Sequence, residues 1–545
     1  MHIEQVEADV LCIGGGICGL MAAIRASELG AAVVVAEKGN TLRSGAAATG
    51  CDHFSCYIPD VHGTDFDAFL KAKQRANPRG AAPSGGDIQR VLLEKSFDIV
   101  KLWQRWGIPM KYQGRYEFAG HGLPGHVLSS LKYAGQSQKL ILTKEALKRG
   151  VKIVNRVMVL DLLVSDGVAG AVGVHTREDK MIVFRAKSAV LGTGTVNRLY
   201  PGLTPGWLLN TQRPATLSGD GRVMAFRAGA DLCNLETTAH HSSTKYFAKS
   251  GVATYVGVLR DPQGKPIGPF VTRPDSKYGD PMIDMAQSIY MDYARSGKGP
   301  VYLDFSGISD EDHDYMMHWM PHEGLSAMVD HFKEEGIDTR KNAIEFTTYP
   351  FRGSGGNIRR NAKAETSLKG LYAAGDETGG GGIAGAATFG WIAGDNAARY
   401  AGSAAAPDIG REMPRIENQK ESLTSMRART VGPDWEEVNI ALQHTMLDYA
   451  GFVRSETLLD AGLRHLRRIR DKAHATMIAC SQHDLVRGLE TLNLLDLGEL
   501  VFMAAKERKE TRGLHVRADY PYANPLLDAT LVVKKSGGVT VTEWK

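Results

Sequence analysis

Cysteine is scarce in this chain, with 6 residues among 545, and no two of them stand at the C-x-x-C spacing. Ferredoxin-type iron–sulfur clusters are held by closely spaced cysteine runs, which this sequence does not contain. We therefore expect no iron–sulfur cluster and no metal site in the chain itself. Cys51 and Cys56 could form a redox pair, but the favoured interpretation is unpaired thiols in a reducing cytoplasm.

Long apolar runs and a strong net charge are also missing. The sequence contains no run of about 18 apolar residues, so we expect no transmembrane helix. Residues 1–7 are acidic and lead directly into a strand-like run, unlike a signal peptide, so we expect a cytoplasmic protein that reaches a membrane only through partners. The net charge is +4, without an arginine and lysine stripe interleaved with aromatics. This argues against nucleic-acid binding and is compatible with a small anionic substrate.

Glycine is abundant, with 61 residues, and its first cluster forms a nucleotide-binding pattern. A strand-like run at 8–13 is followed by three glycines at G-x-G-x-x-G spacing, Gly14, Gly16 and Gly19. In a Rossmann unit these permit a tight turn, close approach of a pyrophosphate and close helix–strand packing. A second apolar run ends at Glu37, whose carboxylate can accept hydrogen bonds from a ribose and would repel a 2′-phosphate.

The remaining periodicity divides the chain into segments. Alternating strand and helix patterns predict an α/β unit over 1–235 and again over 351–405, including helices at 87–106 and 138–148 and short strands at 181–184 and 188–194. Residues 236–350 are irregular and rich in proline and aromatics, which indicates an inserted domain. Residues 410–510 have helical periodicity typical of a packed bundle, and 511–545 form an extended tail with a strand-like run at 529–533.

Four sequence blocks carry a resemblance to a known family. They are the Rossmann unit at 14–37, SGDG with AGA at 218–230, GLYAAGD at 370–376 and ETRGLHVRADYP at 510–521. The last block looks like the E-S-R-G-x-H-x-R-x-D-Y-P stretch of flavoprotein subunits in the fumarate reductase/succinate dehydrogenase superfamily. This superfamily includes the adenylylsulfate reductase flavoprotein and L-aspartate oxidase. The chain resembles it over nearly its whole length.

The resemblance implies a fold and a cofactor. The fold is α/β, with a Rossmann-type FAD-binding domain (1–235 and 351–405), an inserted α+β capping domain (236–350) and a C-terminal helical domain (410–510). The capping domain would close over the isoalloxazine of an extended FAD. The expected cofactor-binding residues are Gly14, Gly16, Gly19, Glu37, Lys38, Arg43, Ser44, Gly45, Gly50, Val157, Thr193, Gly194, Asp220, Asp376, Ala387 and Thr388. The neighbouring Ala386 would also line the cofactor path.

One departure from the family concerns how FAD is held. In quinone-linked members, a histidine in an S-H-T-x-A-A-Q-G-G stretch bonds covalently to FAD. The equivalent stretch is RSGAAATG at 43–50, in which Ser44 stands at the position of the histidine. A serine cannot make that linkage, so we expect non-covalent FAD. The absence of the bond argues against succinate oxidation.

A second departure concerns the family's dicarboxylate site. Its H-Y-T-M-G-G stretch corresponds to FRGSGG at 351–356, so the histidine of that stretch is lost. The position of the family's catalytic arginine of fumarate reduction falls near 285–288, which contains no arginine. The position of a carboxylate-clamping arginine falls near 379–382, where this chain has glycines instead. Because two carboxylates need several buried cationic donors, we do not expect ordinary fumarate or succinate chemistry.

Three residues remain as catalytic candidates. His241 matches the histidine of the family's H-P-T stretch and could shuttle a proton or hold an anion, with a structural core histidine as an equally open alternative. Arg352 replaces a family tyrosine and could clamp an anion or form an interdomain salt bridge. Lys245 falls near a substrate-contacting arginine of the adenylylsulfate reductase branch. That branch, with non-covalent FAD and an A-G-D ending like that of 370–376, is the most similar.

These observations predict an FAD-dependent oxidoreductase. The favoured hypothesis is a flavoprotein subunit, in a homo- or hetero-oligomer, that exchanges a hydride with a small anionic organic substrate. A separate iron–sulfur protein would carry the single electrons. The alternatives are a flavin relay without its own organic substrate and an adenylylsulfate reductase-type flavoprotein. A stand-alone oxidase of the aspartate oxidase kind is less favoured because its carboxylate clamps are missing too.

Overall fold

The structure, a computed structural model, covers most of the chain. It describes residues 1–75, 86–122, 125–202, 208–211, 213–245, 253–267, 271–278, 296–352, 355–379 and 381–545, with the backbone alone at 75, 86, 239–243 and 348–352. In the described part, no helix combines the length and the apolar character needed to cross a membrane.

A seven-stranded sheet forms the centre of the molecule. Its hydrogen-bonded order is Lys152–Asn155, Val33–Glu37, His2–Ile13, Lys180–Leu191, Val168–His175 and Val157–Val164, and Leu371–Ala373 also pairs with Lys180–Leu191. The first four strands in this order and Leu371–Ala373 are parallel, and the last two are antiparallel. Parallel neighbours need a crossover connection, and the helix Ile17–Glu28 supplies it between His2–Ile13 and Val33–Glu37. The predicted α/β class is confirmed.

The prediction of two short strands at 181–184 and 188–194 was wrong. A single strand, Lys180–Leu191, pairs with His2–Ile13 along almost its whole length. This long parallel ladder bridges the polar residues that interrupt the apolar pattern, because main-chain pairing does not depend on an unbroken apolar run.

Helices and short strands surround the sheet. The helices are Ile17–Glu28, Pro59–His62, Phe66–Arg75, Gly86–Arg105, Gln138–Lys148, Asp220–Arg227 and Gly382–Ser403, and the short strands are His53–Ser55 and Ser130–Lys132. The helices predicted at 87–106 and 138–148 are therefore present to within a residue. The glycine- and alanine-rich helix Gly382–Ser403 packs directly on Ile17–Glu28.

The segment between 236 and 350 has a sheet and a core of its own. Its strands, in hydrogen-bonded order, are Ala239–Thr244, Ile344–Arg352, Val301–Asp304 and Val258–Arg260, and its helices are Asp310–His322 and Ser326–Glu334. A separate cluster of buried apolar side chains fills it, including Leu303, Phe305, Met316, Met320 and Phe346. We call this segment the cap.

The end of the helix Asp310–His322 seats the cap on the sheet domain. A Cβ at Gly50 would lie 2.3 Å from the carbonyl oxygen of His322, so this contact needs a glycine. The Gln136 side chain donates to the carbonyl of Pro321 at 2.7 Å, and the Asp52 amide donates to Glu323 at 2.9 Å. The junction is therefore tight and polar.

The C-terminal part contains a helical bundle and a hairpin. The helices are Met413–Ala428, Trp435–Ala450, Glu456–Thr476 and Gln482–Glu507, and a short strand Val453–Arg454 pairs with Val516–Arg517. Residues 511–545 were predicted to be an extended tail with a strand-like run at 529–533, and they include the hairpin Leu531–Ser536 and Val539–Trp544. The hairpin joins Leu232–Cys233 and Asn357–Ile358 in a four-stranded sheet, because main-chain partners from the preceding segments are available there.

A buried ion cluster connects the bundle to the sheet domain. Glu490, fully buried, accepts from Lys38 at 2.7 Å, from Arg198 at 2.6 Å and from Arg487 at 2.8 Å. Burial opposes ionisation of Glu490, but Lys38 and Arg198 outweigh it, so the pKa of this carboxyl lies below its usual range. The stabilisation is therefore fully present above the ordinary carboxylate pKa and is lost as the pH falls through the lowered one.

Replacing Glu490 with glutamine tests this cluster. Glu490→Gln removes the charge that compensates three cations, so we expect the free energy of unfolding to fall by about 3 kcal/mol or more. Denaturant unfolding of the holoprotein measures it. Glu417→Gln is the matched control, because Glu417 forms an exposed pair with Lys420, and a change within about 0.5 kcal/mol is expected there. Equal stability of the two variants would contradict the role of Glu490.

Candidate functional site

One long cavity crosses the carboxyl ends of the parallel strands. Its wall includes the ends of the first two strands, at Ile13 and Glu37, and the segments 192–194 and 374–376 that follow two others. Ligands of open α/β sheets bind at this edge. The predicted residues in the wall are Gly14, Gly16, Glu37, Lys38, Ser44, Gly45, Gly50, Val157, Thr193, Gly194, Asp220 and Asp376.

The glycine loop has the geometry that the sequence pattern predicts. Gly14 and Gly16 line the cavity. Gly19 does not, because it packs against the loop: a Cβ there would lie 1.9 Å from the carbonyl oxygen of Gly14. Gly16 begins the helix Ile17–Glu28 without a side-chain cap, so the first N–H groups of the helix remain for a phosphate.

Glu37 holds the loop as well as facing the cavity. Its Oε2 accepts from the Gly15 amide at 2.6 Å and its Oε1 from the Gly39 amide at 2.7 Å. Each carboxylate oxygen has further acceptor capacity, so a ribose hydroxyl can still bind. Nearby, Lys139 donates to the carbonyl of Gly15, and burial lowers the pKa of this lysine to about 8 although Glu37 opposes the shift.

Lys38 and Asp220 are joined to each other in the wall. Lys38 donates to Asp220 at 2.7 Å, and Asn493 donates to the other oxygen of Asp220 at 2.8 Å. Since Lys38 also donates to Glu490, its ammonium stabilises the fold in addition to any contact with a ligand.

Glu377 supports the wall from behind and was not predicted. It accepts from the amide and the hydroxyl of Thr193 at 2.8 and 2.6 Å. Burial raises the pKa of Glu377 to about 7, although Thr193 and Arg222 oppose the shift. Its position directly after Asp376, in the 370–376 block, is the signal that could have identified it.

Besides Gly19, three predicted cofactor residues do not reach the cavity wall. Arg43 is exposed, and Ala387 and Thr388 are buried on the helix Gly382–Ser403. Ile383 and Ala386 of the same helix line the cavity, and Ala386 was expected on the cofactor path. They lie three residues apart and thus on one helical face, whereas the face of a helix cannot be assigned from the motif alone.

Of the three predicted catalytic residues, the structure describes the side chain of Lys245 alone. His241 and Arg352 lie on the antiparallel strands Ala239–Thr244 and Ile344–Arg352, and their side chains lie outside the described residues, as do 285–288, 353–354 and 380. Lys245 is 43% exposed and pairs with Glu345 at 2.8 Å. It is absent from the described wall, so the structure does not bring it to the cavity.

Several wall residues were missed by sequence reasoning. Where the sheet domain meets the cap, Cys51, His53 and Glu323 line the cavity. One polar atom from each lies within 4.8 Å of the others. The adjacent pair Asp52 and His53, shortly after Gly50, was the sequence signal that could have identified His53. No comparable signal marks Glu323 in the cap.

The wall fits a flavin dinucleotide. The hydroxyl oxygen of Ser44 is buried and has no hydrogen-bond partner in the described structure, which leaves it free to bond a cofactor. The uncapped helix and Glu37 suit the pyrophosphate and the ribose, respectively. These residues would hold the nucleotide half of the cofactor.

Comparisons with known proteins agree with this geometry. The FAD binding domain family matches residues 9–390, and the fumarate reductase flavoprotein C-term family matches 439–542. The chain is 28% identical to one of the subunits of fumarate reductase (CoM/CoB) from Methanothermobacter marburgensis, covering 96% of each chain. It is 26% identical to L-aspartate oxidase of Vibrio cholerae, covering 95% of this chain and 96% of the relative.

A solved structure shows the same fold. Adenylylsulfate reductase from Archaeoglobus fulgidus is similar with a TM-score of 0.84 and 21% identity, covering 100% of this chain and 96% of that one. At this identity the likeness concerns the fold alone.

The double role of Glu37 predicts a loss of cofactor affinity. Glu37→Gln leaves an amide group opposite a backbone N–H, so we expect the Kd for FAD to rise about tenfold, equal to about 1.4 kcal/mol. Titration of the apoprotein with FAD, followed by flavin fluorescence, measures it. Glu94→Gln, on an exposed helical ion pair, is the control and keeps the original Kd. An unchanged Kd in Glu37→Gln would refute the role.

Proposed function

The chain belongs to the FAD-binding flavoproteins of the fumarate reductase/succinate dehydrogenase superfamily, and on this premise we propose its reaction. It is an FAD-dependent oxidoreductase. We propose that it exchanges two electrons, as a hydride, with a small anionic organic substrate other than fumarate or succinate. A separate iron–sulfur protein delivers or removes these electrons singly.

The observation that carries the proposal is the junction of the cavity with the cap. There the wall passes from the sheet domain to Glu323 of the cap, with His53 beside it. A substrate seated at this junction is enclosed by both parts, which limits its contact with water. Bound FAD supplies hydride exchange, and the residues of the chain have to bind, orient and protonate the substrate.

The charges of the wall support a substrate with one anionic group. Arg213 lines the cavity and donates to the carbonyl of Ala46 at 3.3 Å, so its guanidinium can also meet an anion. The other described lysines and arginines of the wall are Lys38, Lys139, Arg156, Arg177 and Arg487. Lys38 and Arg487 already bind Glu490, and Lys139 donates to the carbonyl of Gly15. A clamped dicarboxylate requires several cationic donors at one place, and Arg213 is the one among the described wall residues that the structure places beside Ala46.

The electron partner is proposed from the cysteines and from one relative. The chain has 6 cysteines and no C-x-x-C pair, so it lacks the closely spaced cysteines of ferredoxin-type clusters. The Methanothermobacter relative is named as one part of a larger enzyme, which supports a multi-chain assembly. An iron–sulfur protein is the ordinary carrier between a two-electron flavin and one-electron chemistry.

The substrate proposal is tested with the reduced holoprotein. It is mixed without oxygen with fumarate and with a series of unsaturated monocarboxylates and other small anions, and flavin reoxidation is followed by absorbance. We expect fumarate to react no faster than buffer and at least one other anion to react in a saturable way. Saturable reoxidation by fumarate would contradict the proposed substrate class.

The partner proposal is tested by purifying the untagged protein from its native host without oxygen. We expect a second, smaller chain with broad iron–sulfur absorbance. Acid treatment of the same preparation is expected to release the flavin, because Ser44 replaces the linking histidine. A plain flavin spectrum without a second chain would count against the partner.

A further inference from the structure

A buried carboxylate lies directly before His53 in the chain. The Oδ1 of Asp52 is 2.8 Å from His53 Nδ1 and 2.8 Å from His121 Nε2. Its Oδ2 accepts from Lys132 at 2.5 Å and from Thr254 at 2.9 Å. Asp52 is 0% exposed. A carboxylate with four polar neighbours is fully compensated in the interior, and it holds its neighbours in fixed positions. We call these five residues the Asp52 cluster.

Strand pairing and the cap together build the Asp52 cluster. His53 and Lys132 stand opposite each other in the antiparallel pair His53–Ser55 and Ser130–Lys132. Thr254 belongs to the cap, and the ammonium of Lys132 also lies 4.6 Å from the ring centre of Trp319 in the cap. The Asp52 cluster therefore has all five members only when the cap packs against the sheet domain.

Burial and charge set the protonation states around Asp52. Burial opposes its ionisation, but Lys132 and His121 outweigh this and hold the pKa of Asp52 well below its usual range. Burial lowers the pKa of His121 to about 3, so its imidazole is neutral near pH 7. Burial also lowers the pKa of Lys132, with Asp52 opposing the shift. These three residues lie behind the wall, whereas His53 is in it.

We propose that His53 exchanges the proton that accompanies hydride transfer and that Asp52 positions it; this rests on the function proposed above. The Nδ1 of His53 is committed to Asp52, and no described residue bonds its Nε2. Its side chain is 26% exposed. An imidazole held at one nitrogen by a carboxylate presents the other to the substrate, the arrangement that general acid–base catalysis uses.

The proton balance is simple. In the reducing direction the substrate receives a hydride at one carbon of an activated double bond, and the electron pair left on the neighbouring carbon takes the proton from Nε2. The N–H bond breaks, a C–H bond forms, and neutral His53 regains a proton from water. In the oxidising direction His53 accepts the proton instead.

The groups that face His53 suit this role. Besides Asp52, the Oε2 of Glu323 lies 3.7 Å from Nδ1, the Sγ of Cys51 lies 3.7 Å from it, and the ring of His121 lies 4.4 Å away between centroids. The two carboxylates lie on the Nδ1 side of the ring, and Lys132 lies beyond Asp52. Since Glu323 belongs to the cap, packing of the cap against the sheet domain brings one of the two carboxylates to His53.

The first measurement needs no substrate. The midpoint potential of the bound flavin is measured against pH in the wild-type holoprotein and in His53→Gln. Negative charge gained on reduction stabilises a nearby imidazolium, so proton uptake by His53 gives the wild-type curve an inflection. We expect His53→Gln to lose it. The matched control is His444→Gln, at an exposed helical position, which keeps it.

Asp52→Asn tests the positioning role. It is expected to move the inflection to lower pH, because it removes a carboxylate facing the imidazole, while His53 remains. Flavin content of each variant confirms that it is folded. An inflection unchanged in His53→Gln overturns the proposal, and one unchanged in Asp52→Asn overturns the assignment of Asp52.

The second measurement uses an acceptor found in the anion series. We expect His53→Gln to lower kcat by about 10²–10⁴-fold with little change in KM, and a kcat within about threefold of wild type would overturn the proposal. If no anion reoxidises the wild-type flavin, the proposed substrate class fails. The potential measurement still decides the assignment of His53 in that case.

Discussion

Compensation of buried charge is the constraint on which the cavity depends. Several charged groups of its wall are buried, among them Glu37, Lys139 and Glu490, and each of these loses hydration that only a partner can replace. The partners are distant in sequence: Lys38 and Glu490 are 452 residues apart, and Asp52 and Thr254 are 202 apart. The same contacts that satisfy these charges therefore join the sheet domain to the bundle on one side and to the cap on the other.

The two charge clusters differ in how they relate to a ligand. Around Glu490 the carboxylate oxygens are engaged by three cations of the protein, and that end of the cavity is a rigid frame. Around Asp52 one partner, His53, stands in the wall with Nε2 left for a ligand. The buried Glu490 therefore stabilises the structure, whereas the buried Asp52 holds His53 in position at the cavity wall.

Local sequence patterns predicted the loop at the edge of the sheet better than they predicted the individual side chains that line the cavity. The spacing of Gly14 and Gly16 and the acid at Glu37 selected three residues that line the cavity, since a loop between a strand and a helix permits few arrangements. Their contact with FAD stays a prediction. The run at 386–388 identified the correct helix, on which Ala386 lines the cavity whereas Ala387 and Thr388 are buried outside the wall. Lys245 was selected by position relative to a family residue, whereas in the structure Glu345 on the neighbouring strand pairs with it.

The sequence by itself determined the α/β class, the nucleotide-binding edge, the separate cap segment and the helical bundle. Each of these depends on periodicity or glycine spacing within a few tens of residues, where main-chain geometry leaves few alternatives. Only the tertiary structure decided that Asp52 gathers His53, His121 and Lys132, and that Glu323 faces them from the cap. Such contacts depend on which surfaces pack together across hundreds of residues, and no local pattern encodes the register of that packing.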